Sequence, residues 1–364
     1  MSAISTATAT ATAPAPAKGA RPAGYALVRA GRSSFLVHRR GAAVALGLAV
    51  LLAGVCLLYL CTGKTWTAPG EALKVLFGQP SPEELTVGTF RLPRMTVGLL
   101  AGAAFGVAGA LIQTVARNPL ASPDIIGVSQ GASALTVGAM TFGVTSYATL
   151  PYLSVAGGLL AAALVYAFAW RGGLQAARFV LVGIGFAVAL RSVTHLFLTK
   201  GDYLVAQQAK VWMTGSLNAR GWDEAAPLAW TLLVLAPFVC WAARAQRTVS
   251  MDDDTATALG VRLDRVRVGL ALLGVVLASV ATGAAGPVDF VALLAPQIAR
   301  RMTRTAQIPL LCSALAGSFI VVTADLLGRK LFEPTELPVG VLTAAVGAPY
   351  LIWLLVRGRT GGRA

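Results

Sequence analysis

Ten blocks of apolar residues, most of them near twenty residues long, constrain this chain more than anything else in it. They fall at about 41–61, 92–116, 125–143, 152–170, 179–198, 225–243, 268–286, 288–300, 308–328 and 338–356. A helix needs roughly twenty residues to cross a hydrocarbon core of ~30 Å. With 56% hydrophobic and 12% charged residues, the chain is far from a soluble composition, in which about 25% of residues are charged. The expected fold is an all-α integral membrane protein, a bundle of about ten transmembrane helices.

The eighth block is only about a dozen residues, which also suits a re-entrant segment. Loop charge favours a crossing. With the N-terminus inside and ten crossings, most of the 30 basic residues, including Arg117, Arg171, Arg178, Arg265, Arg267 and the 300–304 cluster, fall on the inner side, as the positive-inside rule requires. A net charge of +15 then reflects topology and not a nucleic-acid partner. The Ala/Thr/Pro-rich start has no apolar core of a signal peptide. It is read as a disordered cytoplasmic tail over 1–37, ahead of a single membrane domain over 38–364. The four cysteines sit in apolar segments at no metal-ligand spacing and are read as small hydrophobes.

Arg91 and Arg94 flank Pro93 in FRLPRMTVGLL and fall at the outer end of the second span, against the charge trend. Two explanations stand side by side. The guanidiniums snorkel to headgroups, or a helix starting at Pro93 presents both at its mouth to an acidic partner. Gly98, Gly102 and Gly106 follow at four-residue spacing, which lets membrane helices approach closely.

Two motif matches lead nowhere. GVSQG resembles a nucleophile elbow, but it opens an apolar helix and the only histidines are His38 and His195. GKT at 63–65 lacks the first glycine of a phosphate loop, Leu58 standing in its place. Any energy for transport must come from an ion gradient or a separate ATPase. The segment SMDDDTATALGVRLDR (250–265) starts with three aspartates suited to a helix N-terminus and reaches Gly260, a suitable C-cap. It is either an ordinary amphipathic connector or a protein contact.

Charged residues inside spans are costly and face protein or a wet cavity. Arg191 and His195 share one helical face, and either form a structural pair or meet an anionic cargo. Asp325 is read as an ion-pair or packing residue.

RLPR, RNPLASPDIIGVSQGA, VWMTGSLNARGW, DDDTATALGV, AGPVDFVALLAPQIARR and ELPVGVLTAAVGAPYLIWLL occur in that order between Arg91 and Leu355. Together they resemble the permease family of iron-siderophore and cobalamin ABC importers. LVGIGF, MDDDTATALG and FVALLAPQIARR look most like the ferric-enterobactin permease subunits. The resemblance implies the type II importer architecture and ATP-driven uptake of a ferric siderophore of catecholate type across the cytoplasmic membrane of a bacterium, with both termini inside. It implies as partners a second permease subunit (a paralogue or another copy), two ATPase subunits that use ATP and Mg, and an extracytoplasmic siderophore-binding protein. This chain itself would be neither an enzyme nor the holder of a cofactor or metal. By the same resemblance, Arg91, Arg94 and Arg329 would dock the binding protein. Asp253, Asp254, Ala256, Leu259 and Gly260 would form the ATPase-coupling segment. Translocation-pathway candidates are Arg191, His195, Asp289 and Gln297. Gln297 stands where the family pattern usually has His, and Asp289 where a small or uncharged residue is common. Asp289 either lines the pathway or pairs with a base. The rival expectation is an ion-coupled secondary transporter, which also uses intramembrane charges and broken helices.

Overall fold

The computed structural model describes residues 24–30, 33–63, 65–124, 126–144, 149–170, 176–251, 253–258, 260–333 and 335–360. Ten helices coincide with the ten apolar blocks: α1 (Arg39–Cys61), α3 (Leu92–Ala116), α4 (Val128–Thr141), α5 (Leu150–Ala169), α6 (Ala176–Lys200), α8 (Trp222–Val249), α10 (Leu263–Ala285), α11 (Val291–Thr303), α12 (Leu310–Lys330) and α13 (Val339–Thr360). Between them lie three shorter helices, α2 (Pro69–Leu76), α7 (Tyr203–Met213) and α9 (Asp253–Ala258).

The expectation of a disordered tail over 1–37 is corrected in its last part. Strands β1 (Tyr25–Ala30) and β2 (Ser33–His38) pair antiparallel, with Tyr25 opposite His38 and Ala30 opposite Ser33. Both carry the aromatic and β-branched residues that favour strands. Composition taken over the first 24 residues missed them. His38 then caps α1, its Nδ1 accepting from Gly41 N at 3.0 Å.

The core is α3, buried on most of its surface between α10, α11 and α12. The predicted close approach is present. A Cβ on Gly102 would lie 2.6 Å from Gly317 O, so backbone meets backbone with no side chain between.

Two of the ten helices are too short to cross alone. At 14 and 13 residues, α4 and α11 span roughly 20 Å each at 1.5 Å per residue, against a core of ~30 Å. Non-helical arms, residues 117–127 and 286–290, complete them. Non-helical backbone is tolerated at membrane depth only when protein satisfies it, and protein does so here. Leu120 N donates to Asn118 Oδ1 at 2.9 Å, Gly127 N to Asp124 O at 3.0 Å, and Gln297 Nε2 to Pro119 O at 3.1 Å.

Candidate functional site

Polar side chains gather at both ends of α3, which at 25 residues separates them by roughly 37 Å. At its N-terminal end the helix does not begin at Pro93. A π-helical turn, Leu85–Arg91, runs directly into α3, with Leu92 N donating to Val87 O. A π turn absorbs the amide that proline lacks, and the continuous helix aims both arginines into protein. Arg91 is 5% exposed. Its Nη1 donates to Leu60 O (2.6 Å) and Thr67 Oγ1 (3.0 Å), and its Nη2 to Thr65 O (2.9 Å). Arg94 forks onto Asp325 (Nε–Oδ2 3.0 Å, Nη2–Oδ1 2.8 Å) and reaches Glu336 Oε2 at 2.9 Å. Neither arginine snorkels and neither stands open at a helix mouth, which corrects both sequence-based expectations of their placement.

Asp325 is the centre of this cluster, 1% exposed, and the expected ion pair is present. It also accepts from Tyr59 Oη at 2.6 Å. Arg329 approaches it at 3.7 Å and lies 4.0 Å over the Tyr59 ring. Its Nε and Nη2 are buried with no hydrogen-bond partner among the described residues. Sequence reasoning missed Tyr59 and Glu336. Each sits where a span ends, but nothing local marks Tyr59 as a partner of Asp325 or Glu336 as a partner of Arg94.

Midway along the bundle, Arg191 and His195 are exposed on one face of α6, and Asp289 is exposed on the arm before α11. Asp289 is within the electrostatic reach of Arg191 without a direct ion pair. The other arm contributes Asp124, a half-buried carboxylate that accepts from Ser129 Oγ and that sequence reasoning passed over. Gln297 does not join this exposed group. It is 2% exposed, with Nε2 on Gln113 Oε1 at 2.6 Å and Oε1 accepting from Arg300 at 3.3 Å. As a pathway-lining residue Gln297 is therefore corrected: its amide ties the 117–127 arm to α11.

At the C-terminal end of α3, Asp253 joins three helices. Arg267 Nη2 donates to both its oxygens (2.7 and 3.0 Å), and Arg117 Nη2 reaches the same carboxylate. Arg267, and then Arg117, hold the Asp253 carboxyl below the usual range. The short helix ends as expected. Gly260 has φ +78°, with Gly260 N bonded to Thr257 O and Val261 N to Ala256 O, a Schellman arrangement. One expectation fails here. Ala256 is fully buried against its own chain, while Asp254, Thr255, Thr257 and Ala258 are exposed. Leu259 lies outside the described residues.

Residues 50–357 match the FecCD transport family. The chain is 38% identical over 327 residues to the achromobactin transport system permease protein of Dickeya dadantii, covering 89% of this chain and 92% of that one. It is 37% identical over 314 residues to the ferric enterobactin transport system permease protein of Escherichia coli, covering 85% and 95%. A solved structure of a metal-chelate type ABC transporter in an inward-facing conformation superposes with a TM-score of 0.76 at 24% identity. That superposition covers 87% of this chain and 99% of the other.

Proposed function

The chain belongs to the FecCD transport family, and on that premise we propose that it carries a ferric siderophore of anionic, catecholate type inward, delivered by a binding protein and driven by separate ATPases. It is a permease subunit of an ABC importer for iron chelates, a multi-pass protein of the bacterial inner membrane. The family match over 50–357 carries this reading, and it sets aside the ion-coupled alternative. The two relatives are named for different siderophores and match equally well. The choice of an anionic catecholate therefore rests on the motif likeness and on a cation, Arg191, exposed on a membrane-spanning helix.

In this reading the Arg94 end faces outward and the α9 end inward, with both chain termini inside. Arg329, whose side chain is only 11% exposed, turns outward to take a carboxylate of the binding protein. Arg94 exchanges its half-exposed partner Glu336 for another, and Arg91 holds the 60–67 backbone beneath them. Asp254, Thr255 and Ala258 form the surface offered to an ATPase. Two permease chains meet so that Arg191, His195 and Asp289 face a wet path between them.

The test is uptake of labelled iron in a strain lacking paralogous permeases. Deleting the gene should abolish uptake from a ferric tris-catecholate and spare free ferrous iron. Normal uptake of every ferric siderophore would refute the proposal.

A further inference from the structure

A cavity of about 930 Å³ opens at the Arg94 end, walled by α7, by residues 216–224 and by residues 336–338. Behind its lining residue Ser216, the loop is held by backbone. Gly215 adopts φ +68°, and a Cβ there would lie 2.2 Å from Pro287 O. Ser216 N donates to Ala285 O (3.0 Å) and Gly340 N to Gly215 O (3.1 Å), stitching the loop to the ends of α10 and α13. That stretch of the wall is preorganised, and ordering it costs a ligand little.

The charges on the walls do not cancel. Arg94, Lys210 and Arg220 line the cavity with Glu224 and Glu336. Arg94 pairs with Glu336 at 2.9 Å and Arg220 with Glu224 at 3.5 Å. Lys210 makes no ion pair among the described residues and is exposed. Arg220 Nε is buried with no hydrogen-bond partner among the described residues. Gln207, Gln208 and Asn218 add neutral hydrogen-bonding groups. The volume lies at the upper end of the ~300–1,000 Å³ typical of small-molecule sites, far more than an inorganic ion fills.

We infer that this cavity is an entry site for a compact multivalent anion, the ferric chelate itself, with Lys210 and Arg220 reading its charge before it passes between the permease chains. The inference rests on the proposal that the chain transports ferric chelates. It adds a binding site on the permease, apart from the binding protein, that selects anionic over neutral cargo. Exposed single charge pairs are weak, but the Coulomb attraction grows with each charge the chelate carries.

Trp212 lines the same cavity, so a ferric chelate bound there quenches its fluorescence. The permease with its ATPases, in nanodiscs of zwitterionic lipid and without binding protein, is titrated with a ferric tris-catecholate and with a neutral ferric tris-hydroxamate. The expected result is a saturable quench by the tris-catecholate, absent in Trp212→Phe, with half-saturation raised about threefold in Lys210→Gln and about tenfold in Lys210→Glu. The neutral probe should bind weakly and equally to all three. No saturable quench, a quench that survives Trp212→Phe, or equal affinity in Lys210→Glu overturns the inference. So does a quench abolished by anionic lipid, which assigns the cavity to headgroups. Cellular uptake is measured in parallel. Wild-type uptake without a quench sinks only the entry site, whereas absence of any ferric-chelate uptake sinks the transport reading beneath it.

Discussion

Replacing Asp325 with Asn is the sharpest probe of the arginine cluster. The carboxylate is 1% exposed and takes both donors of the Arg94 fork, the Tyr59 hydroxyl, and the field of Arg329. The amide keeps the volume but removes the charge, leaving the guanidiniums of Arg94 and Arg329 without the buried carboxylate they share. Arg94 retains Glu336, but that side chain is 40% exposed and screened by solvent, so it offsets little. Removing one partner of a buried pair costs about 3–5 kcal/mol; allowing for Glu336, about 3 kcal/mol is expected. Tyr59→Phe, which loses one hydrogen bond to a charged acceptor, should cost about 1.5–3 kcal/mol. The assay is equilibrium unfolding of the purified protein in mixed micelles. Pairing Asp325→Leu with Arg94→Met removes both charges, and recovery of at least half the loss is expected because apolar replacements of buried pairs are often neutral. A loss below about 1 kcal/mol for Asp325→Asn, or a double variant worse than either single one, would refute the argument that a buried charge is being compensated.

Gly102→Val places a side chain where a Cβ already sits 2.6 Å from Gly317 O. It should separate α3 from α12 and lower yield and unfolding temperature sharply, an overpacking cost of about 1–3 kcal/mol or more. On α9, Thr255→Arg or Ala258→Arg should weaken ATPase association in pull-downs while unfolding stays near wild type; Ala256→Arg should instead destabilise the permease itself, because Ala256 is buried. Gln297→Leu leaves Gln113 Oε1 and Pro119 O without their donor. A cost of about 1–3 kcal/mol is expected, seen as faster proteolysis of the 117–127 arm. The lowered Asp253 carboxyl sets a pH dependence. Its ties to Arg267 and Arg117 are at full strength above the unfolded-state value of ~3.9 and weaken as pH falls below it. Hydrogen exchange in 253–258 should therefore be flat from neutral pH down to about 5, after correction for intrinsic exchange, and Asp253→Asn should raise it throughout.

Which segments enter the membrane is settled by sequence alone. Transfer of apolar surface adds up along a window, so ten blocks announce ten helices whatever their neighbours are. The end of α9 at Gly260 and the small-residue seam of α3 are local in the same sense, set by one backbone conformation and by the absence of side chains. The destination of a charge is not local. Arg94 and Asp325 are 231 residues apart, and no pattern near either one says that they meet, or that a π turn before Pro93 rotates the arginines inward. The short length of α11 was legible in its block of about a dozen residues, but that of α4 was not, its block running over 125–143 while the helix has 14 residues. The prolines of RNPLASPDIIG mark a turn in the first arm, but that its backbone is held against the bundle depends on Gln297 reaching across from α11 to Pro119. Ala256 makes the point in one residue. Its helix could be read from the chain, but the face it turns to solvent was decided by the ends of α3, α8 and α10, which Arg117 and Arg267 hold around Asp253.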